Sequence, residues 1–226
     1  MSIDEQRERW LAAGSPPVPT LVLGGVSHAL QHPGHAAALL GLEPPPELRD
    51  AWSVAADVDA VVEAWLELAA TTSWPVLTAP GVVLGRTPLA LTVDALVGVA
   101  ALTAALWTGW FHWPGNPETG ATGDAEIGPY EASIVTRIDT RDGLLGFARR
   151  VARGWGAALA EHEQSIRSDP SRPMWTPRGE LALVELLEAQ RLHCAGHYRQ
   201  ATAAPGVVRT LDLATLPGLV LAEAIE

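Results

Sequence analysis

Late in the chain, the run Gln190-Arg191-Leu192-His193-Cys194-Ala195-Gly196-His197-Tyr198-Arg199-Gln200 concentrates side chains able to do chemistry. On a helix, positions four apart share a face, so His193 and His197 project side by side. Gln190 and Gln200 fall on the same seam, three residues to either side of the pair. Toward the N-terminus the seam is apolar, through Leu183, Leu186 and Leu187. Inward-facing imidazoles must find partners or cost free energy, and a divalent metal ion is one such partner. The plain alternative is a pair of partly exposed histidines near a helix end, because two His four apart also arise by chance. Cys194 lies about 100° around the helix from His193. No separate base and orienting carboxylate can be named for it, so it reads as packing rather than as a nucleophile.

Other histidines offer themselves less directly. His28, His32 and His35 fall within eight residues, but Pro33 breaks the register between the second and third, so they need not converge. A solvated turn is the simpler reading of that cluster. His112 stands in Gly109-Trp110-Phe111-His112-Trp113-Pro114, beside two aromatics at a helix end.

The elements that must position these groups are helical. Val54, Val58, Val61, Trp65 and Leu68 recur at helical spacing and predict a helix over 47–71. Thr87-Pro88 supplies an N-cap and first-turn proline for a second, over 88–112. Leu144, Ala148, Val151, Trp155 and Leu159 mark the inner face of a third, over 139–162, with Arg149, Arg150 and Arg153 on its solvated side. The fourth runs 177–203, from Thr176-Pro177 to Ala204-Pro205-Gly206. Four such patterns without convincing strand alternation predict an all-α bundle. The Gly- and Pro-rich residues 114–138 form a long loop between the second and third helices. Residues 1–45 read as an N-terminal extension, 46–204 as the bundle and 205–226 as a tail. The tail either packs back through its leucines or makes a homodimer contact.

The string His193-x-x-x-His197-x-x-Gln200, closing the last long helix of an all-helical chain, resembles the final helix of the DinB/YfiT-like superfamily. The resemblance spans roughly residues 46–204 and implies a four-helix bundle. It further implies a divalent metal held by three histidines, two from this motif and one from the second helix, and in some members a transferase or hydrolase using a low-molecular-weight thiol such as bacillithiol or mycothiol. On that reading His193 and His197 ligate Zn, Ni or Fe, and Gln190 and Gln200 orient the imidazoles. The chain departs from the pattern in its second helix. Where the family places a histidine, this sequence has Val97-Gly98-Val99. His112 is the candidate for a displaced third ligand, with packing as its alternative role. The competing functional reading is a non-catalytic member that has lost the metal and binds an apolar ligand or a protein partner.

Composition sets the remaining bounds. The net charge is −11 over 226 residues, and every fixed positive side chain is Arg. With no basic stripe, the chain is a poor nucleic-acid binder, and a small-molecule ligand or substrate is the expected partner. Its single Cys excludes an intrachain disulfide. From Ala95 to Trp113 no residue carries a fixed charge, which approaches the length of a membrane span. Ala, Gly and Thr dilute that run, and no Lys/Arg-rich flank follows, so a helix buried within a bundle is the expectation. The first ten residues, MSIDEQRERW, are charged and polar, unlike a signal peptide, and cytoplasm is the expected location.

Overall fold

In a computed structural model, residues 20–23, 26–29, 50–81, 86–111, 134–176 and 179–216 are described, with the backbone alone over the first two stretches. Strands β1 (Thr20–Leu23) and β2 (Val26–Ala29) form an antiparallel hairpin. Helices α1 (Ala51–Thr71), α2 (Trp74–Thr78), α3 (Pro88–Thr108) and α4 (Arg141–Ser168) follow. A second hairpin, β3 (Pro173–Thr176) and β4 (Gly179–Ala182), leads directly into α5 (Leu183–Thr202). The fold is all-α, and the two hairpins among the described residues are short.

Local chemistry sets the helix ends. The Asp50 carboxylate accepts from the Ser53 amide at 3.0 Å, so α1 starts four residues later than the apolar pattern alone suggests. Thr87 accepts from the Ala90 amide at 3.1 Å ahead of Pro88. Gly109, at φ 74°, ends α3 in the left-handed conformation, four residues before the expected stop. Thr140 caps α4, which continues to Ser168 rather than 162. The start of the last helix differs most from expectation. Residues 179–182, predicted helical, are strand β4 paired with β3. The Ala182 amide then donates to Glu185 Oε2 at 2.8 Å, and α5 begins at Leu183. Gly179, at φ 117°, makes the turn between strands that an L side chain resists.

The four long helices share one core. Both α1 and α3 pack on α4 and on α5, and they meet each other only lightly. Val54, Val58, Val61, Trp65 and Leu68 are buried from α1, as are Leu144, Ala148, Val151, Trp155 and Leu159 from α4. Those are the faces that periodicity marks. Arg149, Arg150 and Arg153 are exposed. Helix α3 is long and apolar enough to cross a bilayer, yet 78% of that stretch is buried inside the protein. Its far end is held by the second hairpin: Trp175 N donates to Gly109 O at 2.8 Å, and Phe111 N donates to Trp175 O at 2.7 Å. The end of α3 therefore lies beside the approach to α5, and the two helices run antiparallel. Early α3 thus faces late α5, where the two histidines lie.

Candidate metal centre

Asp94, in the second turn of α3, meets His193 and His197 of α5. Asp94 Oδ2 is 3.0 Å from His197 Nε2, and Asp94 Oδ1 is 3.6 Å from His193 Nε2. The two imidazoles stand edge to face with centroids 4.4 Å apart. One donor atom from each of the three side chains falls within 4.8 Å of the others, so the group could hold a metal ion. Ligand bonds of about 2.0–2.2 Å place neighbouring donors on one ion roughly 3–3.5 Å apart. The two Nε2–Oδ separations, to different oxygens of Asp94, are close to that spacing.

The protonation pattern matters as much as the distances. His197 Nδ1 lies 2.9 Å from Gln200 Oε1. A carbonyl oxygen only accepts, so Nδ1 carries the proton. The other ring nitrogen, Nε2, is thereby turned toward a carboxylate oxygen 3.0 Å away. Two acceptors that close need a shared proton or a cation between them. Histidines that ligate metals are oriented in this same way through their other nitrogen. Asp94 Oδ1 accepts no hydrogen bond among the described residues. The fourth member of the cluster, Arg86, precedes the α3 N-cap and donates to Asp94 Oδ2 at 2.7 Å.

Burial sharpens the electrostatics. Asp94 is 3% exposed. Desolvation acts to raise its pKa, but the close approach of His193 and His197 outweighs it, holding the carboxyl well below the usual range. His193 is lowered by burial first and by the neighbouring His197 second, against the opposing pull of Asp94. A neutral imidazole is the form that binds metal.

Of the residues singled out in the sequence, His193, His197 and Gln200 come together here. Gln190 is buried one turn earlier on the same seam, and its Oε1 has no hydrogen-bond partner among the described residues. His112 lies outside the described residues, as do His32 and His35. His28 stands in β2 opposite Leu21, in backbone that is extended. Cys194 is fully buried, with its thiol donating to Ala95 O at 3.5 Å, and burial pushes its pKa up. It is a protonated packing residue. Asp94 is the site residue that pattern reading missed. Its signal was present: it is the last fixed charge before the uncharged run from Ala95 to Trp113, in the first turns of a helix otherwise buried. It also lies one turn before Val97-Gly98, where the resemblance looks for a histidine.

Comparisons with protein-family models, with curated proteins and with solved structures found no match to this chain.

Proposed function

We propose that this protein binds a divalent metal through His193, His197 and Asp94, and uses it as a DinB-like enzyme of the thiol-dependent transferase or hydrolase type. The carrying observation is the meeting of two imidazoles and a carboxylate from facing helices, with His197 held by Gln200 so that its Nε2 points at Asp94. In this reading Asp94 replaces the family's helix-two histidine, and His112 is not needed as a ligand. Two histidines and one carboxylate leave coordination positions open and suit Fe, Zn or Ni. A bound ion of this kind lowers the pKa of a coordinated thiol or water, providing a nucleophile near neutral pH. The chain's own contributions are to orient His197 through Gln200, to disfavour protonation of His193 by burial, and to anchor Asp94 with Arg86.

The test is the metal content of tag-free protein, followed by single and double substitutions. His193→Ala and His197→Ala should each release the ion, and the double variant should lose little more than either single one, because ligands of one ion act as a unit. Asp94→Asn should weaken binding, and His112→Ala should leave the ion in place. A chelator should lower the Tm of the wild type and leave that of the double variant unchanged.

One observation favours a second reading, the non-catalytic bundle that binds an apolar ligand or a protein partner. The Arg86 guanidinium already neutralises Asp94, which makes the cluster a self-contained buried ion pair. Protein that purifies empty and takes up no Zn, Ni or Fe at micromolar concentration supports this reading over the first.

A further inference from the structure

Arg86 is placed to do more than neutralise Asp94. Its side chain is 13% exposed, and its Nε is buried with no hydrogen-bond partner among the described residues. Only one of its five N–H donors is used in the contact with Asp94. The charges around the cluster are also unbalanced for a loaded site. Arg86 and Asp94 cancel, and the imidazoles are neutral ligands. A divalent ion there leaves two positive charges uncompensated among groups largely removed from water, which is costly unless an anion joins them. A guanidinium is the side chain best matched to a carboxylate, through parallel N–H donors.

We infer that the ligand of this site is a small carboxylate-bearing molecule, with one donor atom on the metal and its carboxylate on the free donors of Arg86. The inference rests on the metal reading above and narrows it to a substrate class. Arg86 is on this account a specificity residue. It acts on the anionic arm of the ligand besides anchoring Asp94, and comparing two probes on the same variant separates the two roles.

The experiment uses the full chain loaded with Co(II), whose absorption reports both metal uptake and thiolate ligation. Two probes of equal length are titrated: 2-mercaptoacetate, which is anionic at its far end, and 2-mercaptoacetamide, which is not. Each can chelate the ion to its own extent, so the decisive quantity is how their affinity ratio changes with the protein variant. Arg86→Gln should reduce the wild-type preference for the acid by about tenfold, the equivalent of about 1.4 kcal/mol. Arg86→Lys, which keeps the charge and loses the fork, should fall between.

The following outcomes overturn the inference. An affinity ratio unchanged in a folded, Co(II)-loaded Arg86→Gln protein does so while leaving the metal reading standing. Wild-type protein that shows no Co(II) spectrum ends both together. If Arg86→Gln does not hold Co(II), the Arg86→Lys ratio decides, and equality with wild type counts against the inference.

Discussion

Asp94 and His193 both resist protonation in the folded chain, so acid acts on the site directly. The sign is the same for each. The folded pKa lies below the unfolded one, so the stabilisation is complete above the unfolded value and disappears as pH falls. For His193 the loss begins below about pH 6.5, and for Asp94 below about pH 3.9, the ordinary values for these groups. Measured in urea with a chelator present, the unfolding midpoint should begin to decline below about pH 6.5 and fall again below about pH 4. His193→Gln should flatten the first decline, and a first decline unchanged by that substitution would assign it to another group. Gln200 gives a second residue-scale expectation. Gln200→Leu removes the acceptor that fixes the His197 tautomer, and should weaken metal binding by about 10–100-fold while leaving the helical spectrum intact. Equilibrium dialysis against a competing chelator measures the change.

Two polar anchors hold α5 in the place that makes the site. On the side facing α1, Arg191 is 2% exposed and reaches Asp57 Oδ2 at 3.1 Å, while a two-pronged contact to Glu188 at 2.6 and 3.1 Å engages its Nε and Nη2. Removing one member of a buried pair leaves the other charge uncompensated, at a cost of about 3–5 kcal/mol. Arg191→Ala should therefore lower the denaturant midpoint sharply, and Arg191→Met together with Asp57→Leu and Glu188→Gln should recover much of the loss. The second anchor is Tyr198, whose hydroxyl accepts from the amides of Thr210 at 2.9 Å and Leu211 at 3.2 Å. This contact ties the segment after α5 to the helix, and brings Leu211 and Leu213 against the core with Leu216 buried. Tyr198→Phe leaves two amides without that acceptor, at about 1–2 kcal/mol. Hydrogen exchange should show faster exchange at Thr210 and Leu211, with the amides of α1 unchanged. Trp65 shares this junction, with its indole N–H on Cys194 O at 3.3 Å and its ring edge-on to Tyr198.

At the scale of the molecule, the apolar α3 is accommodated by protein rather than lipid, because α4 and α5 pack along it. Full-length protein should give a predominantly helical far-UV circular dichroism spectrum in detergent-free buffer, and a requirement for detergent would overturn that expectation. The sequence by itself determined the all-α class and the inner faces of α1 and α4, since a 3.6-residue period of Val, Leu and Trp can be buried only one way. It also determined that His193 and His197 share a face with Gln200, which follows from helix geometry alone. It misplaced the start of α5, because β3 and β4 are stabilised by pairing with each other and with the end of α3, and such contacts leave little trace in local periodicity. The partner of the two histidines was decided only by the tertiary structure. Asp94 lies 99 residues before His193 in the chain, on a helix whose uniform hydrophobicity conceals which face meets α5. The antiparallel docking of α3 on α5 brings that carboxylate and Arg86 to the imidazoles, and no spacing rule along the chain encodes that meeting.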